Sequence, residues 1–287
     1  MNKINLTGHK GFIGSHYFKF LESNGFDVEG YDKKNNFDLK NKTIVSKIRD
    51  CDILLHLAAF NGTKHFYTSP IEVIKDNTLP TINLIDKFLE SKTKFVFAST
   101  CEIFNSTIDN NYYKIPTDEN VPIMYNDIKN PRWSYSLPKA LGENLVSNSG
   151  LDWLILRYFN IYGPGQIDHF ISEFTERALK GEFYIVGNDT RSFCYIDDAI
   201  TMTHELVLNA KNQIYNVGNY NEISIKTVAE LILEILGIDP IKLEIQPSPT
   251  GSVTRRCPDL TKTLKKTNFE KFTDLKTGLT KTLKSFL

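Results

Sequence analysis

The chain has 287 residues, 41% of them hydrophobic, with 34 lysines and arginines against 34 aspartates and glutamates. The formal net charge of +0 leaves no global field to draw the protein to nucleic acid or to an anionic membrane. Neither is an expected partner, and any anionic ligand has to be caught by local groups. The length suits one large α/β domain or up to two small ones. The four cysteines, Cys51, Cys101, Cys194 and Cys257, form no C-x-x-C pair. No metal site or disulfide framework is expected from them, and they read as reduced thiols of a cytoplasmic protein. Residues 1–6 run straight into a strand without the apolar stretch of a signal peptide. No apolar run nears the length of a membrane span.

Strand and helix patterns alternate through the first half. Residues 3–7 form a short apolar strand that ends in a glycine loop. Residues 12–23 place Phe12, Ile13, Tyr17, Phe18 and Leu21 at helical spacing. Residues 26–32 alternate like a strand, and 51–57 form a continuous apolar run, as a strand buried on both faces does. Residues 71–89 predict a long helix, with Pro80 kinking it or marking its start. Strands are predicted at 94–98 and 153–158, with a helix at 136–147 between them. This βαβα order argues for a parallel sheet covered by helices. The second half offers short strands at 183–186, 192–196, 214–217 and 241–245, and helices at 199–208 and 225–236. The expected fold is α/β, a Rossmann-type doubly wound parallel sheet with a smaller C-terminal lobe. Residues 1–160 would form the dinucleotide-binding domain. Residues 161–287 would form mainly the substrate lobe, with some segments returning to the sheet. Ligands would sit at the C-terminal ends of the strands.

Gly8, Gly11 and Gly14 stand three apart, directly after a strand and directly before a helix. Glycine lets the backbone approach a ligand closely. A helix N-terminus behind such a loop offers free N–H groups and partial positive charge to a pyrophosphate. The spacing is G-x-x-G-x-x-G rather than the general G-x-G-x-x-G. Asp32 ends the second strand 18 residues beyond Gly14, where a carboxylate takes the adenosine ribose hydroxyls and repels a 2′-phosphate. That favours NAD over NADP, although Lys33 and Lys34 beside it could accept such a phosphate.

Further motifs follow in order. They are Asp38-Leu39, His56-Leu57-Ala58-Ala59, Asn77-Thr78-Leu79-Pro80-Thr81-Ile82-Asn83-Leu84, Ser99-Thr100-Cys101-Glu102-Ile103-Phe104-Asn105, Tyr135-Ser136-Leu137-Pro138-Lys139 and Arg157-Tyr158-Phe159-Asn160-Ile161-Tyr162-Gly163-Pro164. Arg191-Ser192-Phe193, Asp197-Asp198 and Arg256-Cys257-Pro258-Asp259 come last. With the loop TGHKGFIGSH, this series resembles the extended short-chain dehydrogenase/reductases of the NAD-dependent epimerase/dehydratase family. The likeness covers nearly the whole chain.

The resemblance implies an enzyme that holds NAD and acts on a nucleotide-diphosphate sugar, as a cytoplasmic homodimer. It assigns Gly8, Gly11, Phe12, Ile13, Gly14, Asp32, Asp38, Leu39, Leu57, Ala58, Ala59, Asn77, Tyr135, Lys139 and Tyr158 to the cofactor. Tyr135 and Lys139 share a helix face. A nearby ammonium favours the phenolate, so Tyr135 could take a proton from the sugar C4 hydroxyl while Lys139 also holds the nicotinamide ribose. Thr100 would share that hydroxyl's hydrogen bond. By resemblance Glu102 moves a proton at C5 or C6, as in the 4,6-dehydratases and uronate decarboxylases. Arg191 and Arg256 would clamp the diphosphate, and Asn160 would donate to it or to the sugar. The alternative for the two arginines is ion pairing, Arg191 with Asp197 or Asp198 and Arg256 with Asp259.

The outcome of C4 oxidation is left open between epimerisation, dehydration and C6 decarboxylation. The stretch Asn130-Pro131-Arg132-Trp133-Ser134-Tyr135 is most like the decarboxylase branch. Gly165, after Pro164, departs from it, because that branch carries Arg there. An NADPH-dependent reductase of a 4-keto sugar is the other enzymatic reading, and a non-catalytic NAD-binding regulator is a third.

Overall fold

The computed structural model describes residues 2–247 and 254–287. Its strands, in chain order, are β1 (Lys3–Thr7), β2 (Asp27–Tyr31), β3 (Ile53–His56), β4 (Lys94–Thr100), β5 (Trp153–Tyr158) and β6 (Asn160–Tyr162). They continue with β7 (Tyr184–Val186), β8 (Thr190–Tyr195), β9 (Gln213–Val217), β10 (Glu222–Ser224), β11 (Glu244–Gln246) and β12 (Arg255–Arg256). Six of them form a central sheet in the order β2-β1-β3-β4-β5-β9, parallel throughout. The chain moves outward from β1 to β2, then crosses back to β3 on the other side. This reversal opens a crevice at the strand C-termini.

The central strands bury both faces, which is why they read as unbroken apolar runs. Ile53, Leu55, Val96, Ala98, Leu154 and Leu156 join one core, with residues of the helices Phe12–Ser23, Ile196–Asn209 and Ile225–Ile235. Leu54, Phe95, Phe97 and Ile155 point the other way, into a core with Leu84, Phe88 and Val146 of the helices Pro70–Phe88 and Trp133–Ser147. The period of two within each strand divides the side chains between the two layers.

Residues beyond 160 both extend the sheet and build beside it. Strand β9 completes the central sheet next to β5. Strand β8 is the hub of a smaller sheet, with β10 antiparallel and β12 and β6 parallel to it. Strands β7 and β11 pair separately.

Several boundaries differ from the sequence pattern. The helix Pro70–Phe88 starts at Pro70 and runs through Pro80. Proline suits a first turn, where its missing N–H has no intrahelical role, so Pro70 rather than Pro80 marks the start. The helix Trp133–Ser147 begins three residues before the predicted 136, so Tyr135 lies in its first turn. The strand expected at 241–245 is a short 3-10 turn, Pro240–Lys242, followed by β11. Asp239 caps that turn by accepting from the Ile241 N–H.

One buried network fixes the helix Trp133–Ser147 on the sheet. Arg157 of β5 donates Nε and Nη2 to the two carboxylate oxygens of Glu143 at 2.9 and 2.8 Å. Ser99 of β4 donates to the same carboxylate at 2.5 Å, and Arg157 also reaches the Glu119 carbonyl at 2.9 Å. A Cβ on Gly142 would lie 2.4 Å from the Phe97 ring, so only glycine lets this helix sit so close to β4. Glu143→Gln would leave Arg157 buried without a counter-charge. A stability loss of about 3–5 kcal/mol is expected, measured by urea denaturation, and a loss below about 1 kcal/mol would contradict this reading.

Candidate active site

The C-terminal ends of β1 to β5 open into one cleft of about 1420 Å³ that runs from the glycine loop to β8 and β12. Single small-molecule sites usually occupy about 300–1,000 Å³, so there is room for two ligands.

At one end Gly8 holds φ +74, its N–H on the Tyr31 carbonyl at 2.8 Å. A Cβ there would meet the Ala58 N at 2.6 Å, and one on Gly14 would meet the Gly8 carbonyl at 2.1 Å. Both positions therefore demand glycine to seat the loop on its neighbours. Gly11 precedes the helix Phe12–Ser23, which has no side-chain cap and no acidic residue in its first turn. Its leading N–H groups and partial positive charge are left for an anion, with Phe12 and Ile13 lining the cleft. Asp32, at the end of β2, is buried and accepts from the Lys10 and Lys34 backbones at 2.9 and 2.8 Å. The neighbouring cations are engaged: Asp76 pairs with Lys33 at 3.2 Å and also with Lys40, and Lys34 Nζ donates to the Lys10 carbonyl at 3.1 Å. The uncapped helix start and an acid at the second strand end fit a dinucleotide with free ribose hydroxyls.

Asp38, Leu39, Leu57, Ala58 and Ala59 line the same end. Asn83 fixes the Leu39 and Lys40 carbonyls through its amide at 2.9 and 3.0 Å. Asn77 stands behind the cleft rather than in it. Its side chain exchanges hydrogen bonds with the Phe60 backbone at 3.0 and 3.2 Å and donates to the Val73 carbonyl at 2.7 Å. It shapes the wall that Ala58 and Ala59 present. His56 is a satisfied core residue, held by Thr7 at 2.7 Å and Thr81 at 3.2 Å, with burial pushing its pKa down to about 3.

Midway along the cleft, Thr100 ends β4 and pairs in register with Tyr158 of β5. Tyr158 is buried, with its hydroxyl 2.9 Å from that of Thr203. Tyr135 lies beside Thr100, its ring stacked on Phe66 at 5.1 Å. Burial raises the phenol pKa above its ordinary range, as does the charge of Glu102. Lys139, one turn further along the helix, donates to the Ala98 carbonyl at 2.8 Å. Burial brings its pKa down to about 8.

Glu102 is the most constrained carboxylate of the cleft. Arg132 Nη2 reaches both its oxygens, at 3.2 and 3.1 Å. Arg256 pairs with it from β12, and Asn105 donates at 2.5 Å. Burial acts to raise the Glu102 pKa, but the charges of Arg256, Arg132 and Arg191 outweigh it and bring it down to about 2. These partners hold Glu102 in place as an anion. Arg256 meets Glu102 and not Asp259, whose carboxylate accepts from Thr261 instead. Arg191 is in register beside Arg256 and lies 3.6 Å from Asp189. Asp198 is taken by Thr273. Burial and the Arg256 charge lower the Arg191 pKa to about 10. Asn160 also lines the cleft. Its Oδ1 is buried without a hydrogen-bond partner among the described residues, so it is ready for a ligand donor.

Sequence reasoning gave no role to Arg132, although it lay inside a quoted motif. It also missed His169 and Arg177. His169 precedes the helix Phe170–Leu179 and faces the cleft, its pKa lowered by burial. Arg177 lies 4.4 Å from the centre of the Tyr184 ring and donates to the Tyr184 carbonyl at 3.2 Å.

Comparison with known proteins identifies the family. The NAD dependent epimerase/dehydratase family model matches residues 4–218. A UDP-N-acetyl-alpha-D-glucosaminuronate decarboxylase of Bacillus cytotoxicus is 30% identical over 98% of this chain and 96% of its own length. A putative UDP-glucose 4-epimerase of Methanocaldococcus jannaschii is 32% identical over 82% of each. Among solved structures, the Thermotoga maritima UDP-glucose 4-epimerase with UDP-glucose superposes with a TM-score of 0.87 at 26% identity, covering 99% of this chain and 98% of that one. The chain belongs to the NAD-dependent epimerase/dehydratase family.

Proposed function

We propose that the chain oxidises the sugar of a nucleotide-diphosphate sugar transiently at C4, using NAD that stays bound. The observation that carries this is the meeting of Thr100, Tyr135 and Lys139 at the strand ends, midway between the glycine loop and the arginines of β8 and β12. NAD, when bound, supplies the acceptor for the C4 hydride and its donor on return. Tyr135 takes the C4 hydroxyl proton and Thr100 steadies the oxygen. Lys139 supplies the nearby positive charge that an otherwise reluctant phenol needs. Residues 1–160 serve mainly the cofactor and residues 161–287 mainly the sugar nucleotide. Asn160, Arg191 and Arg256 face the latter. Guanidinium suits such a ligand because it stays charged and binds phosphate oxygens in pairs.

One observation favours C6 decarboxylation over dehydration. Dehydration needs a free base to remove the C5 proton, and the Glu102 carboxylate is already held by Arg132, Arg256 and Asn105. A uronate oxidised at C4 is a β-keto acid and needs no such base. Its C5–C6 bond breaks, the electron pair enters the C4 carbonyl as an enolate, the carboxylate leaves as carbon dioxide, and a solvent proton restores C5. The Bacillus relative is a decarboxylase by name. The activity is then that of a lyase, with epimerisation, an isomerase reaction, as the other outcome.

The cytoplasm is the proposed compartment, since the four cysteines are free and at least half-buried. No helix of the described residues is long and apolar enough to cross a membrane. A homodimer is proposed through the packed helices Pro70–Phe88 and Trp133–Ser147, which leave Ile71, Ile74, Leu79 and Leu141 exposed.

Three outcomes are expected. Tyr135→Phe lowers turnover of UDP-glucuronate by at least about a hundredfold, the size of a lost proton-transfer group, and near-normal turnover would refute the role. Asp32→Ala moves the binding preference in a titration from NAD toward NADP by about tenfold or more, through the loss of repulsion at the 2′ position. An unchanged ratio would remove Asp32 from the cofactor site. Light scattering gives the mass of two chains, and Leu141→Arg returns it to one; a wild-type monomer would exclude the dimer.

A further inference from the structure

Gly165 follows Tyr162-Gly163-Pro164 and lines the cleft. Gly165 has φ +81, and nothing lies within 4 Å of where its side chain would begin. A C6 carboxylate therefore finds no cation from this position. A cation does reach the reaction centre from another element. Arg132 adjoins the helix Trp133–Ser147, three residues before Tyr135, and its side chain is only 14% exposed. We propose that Arg132 binds the C6 carboxylate of the substrate and so selects a uronate over a neutral hexose. This rests on the uronate reading given above.

Three features support the assignment. The first is position. Glu102, the partner of Arg132, follows Thr100 by two residues and donates its backbone N–H to the Thr100 hydroxyl at 3.2 Å. The two groups that take the C4 hydroxyl are thus each within one turn of the Glu102–Arg132 pair. C6 hangs from C5, the ring neighbour of C4.

The second is the set of donors. Arg132 gives Nη2 to both oxygens of Glu102. Its Nε–H is buried and finds no hydrogen-bond partner among the described residues. A guanidinium presents its N–H groups as a planar fork that matches a carboxylate, and a buried donor without a partner is costly until a ligand accepts from it.

The third is charge. Glu102 is one anion between two cations, Arg132 and Arg256. A buried excess of positive charge favours a ligand that cancels it. A uronate brings that charge beside the ring, and a hydroxymethyl group does not.

The test compares UDP-glucuronate with UDP-glucose, each titrated calorimetrically into the NAD-loaded protein and its Arg132→Gln and Arg132→Lys variants. Arg132→Lys keeps a cation against Glu102, so it also covers the case in which Arg132→Gln fails to fold. The wild type is expected to favour UDP-glucuronate. Both variants are expected to weaken UDP-glucuronate about 10- to 100-fold, the range for a lost charge-assisted hydrogen bond, and UDP-glucose less than about threefold. Equal weakening of both ligands would make Arg132 a support for Glu102 and overturn the proposal while leaving the uronate reading intact. No wild-type preference for UDP-glucuronate would overturn the uronate reading itself.

Discussion

The geometry of the cleft depends on the buried contact of Glu143 with Arg157 and Ser99. It joins the helix Trp133–Ser147 to β4 and β5, the two strands whose ends carry Thr100 and Tyr158. The Lys139 ammonium adds a second tie, to the Ala98 carbonyl on β4. A helix fixed at two points cannot rotate, so Tyr135 is held over the strand end rather than over solvent. Burying charge is costly unless it is fully paired. Here Arg157 meets both oxygens of Glu143, and its remaining reach is used on the Glu119 carbonyl.

The two ends of the cleft have opposite chemistry. At the glycine loop, carboxylates set the tone. Asp32 faces the space behind the loop, and Asp76 engages the nearby lysines. At β8 and β12, arginines dominate, with Glu102 and Asp189 as partial counter-charges. The uncapped helix behind Gly11 supplies anion-binding character from the backbone rather than from side-chain cations. A ligand rich in ribose hydroxyls fits the first end, and one rich in negative charge fits the second. The overall charge of +0 thus hides a strong local separation.

Much of this was legible in the sequence. The strands of the central sheet are continuous apolar runs because both faces are buried. The glycine loop and Asp32 stand where the order strand, loop, helix, strand puts them. Legibility failed where long-range contacts decide. The pairing of Glu102 with Arg256 spans 154 positions, and no local pattern predicts it; Asp259 was the nearer candidate. Asn77 matched a motif, yet its amide is used on the backbone behind the wall. The helix Phe170–Leu179 is different. Its buried Ile171, Phe174, Thr175 and Ala178 follow helical spacing, so the pattern was present and went unread, and His169 went with it.

The central claim is that a hydride leaves sugar C4 and is held on the bound dinucleotide. A single turnover with UDP-glucuronate carrying deuterium at C4, quenched and analysed by mass spectrometry, tests it directly. Deuterium is expected on the reduced dinucleotide during turnover and then back at C4 in a product one carbon dioxide lighter. Product formed with no deuterium ever found on the dinucleotide would contradict it.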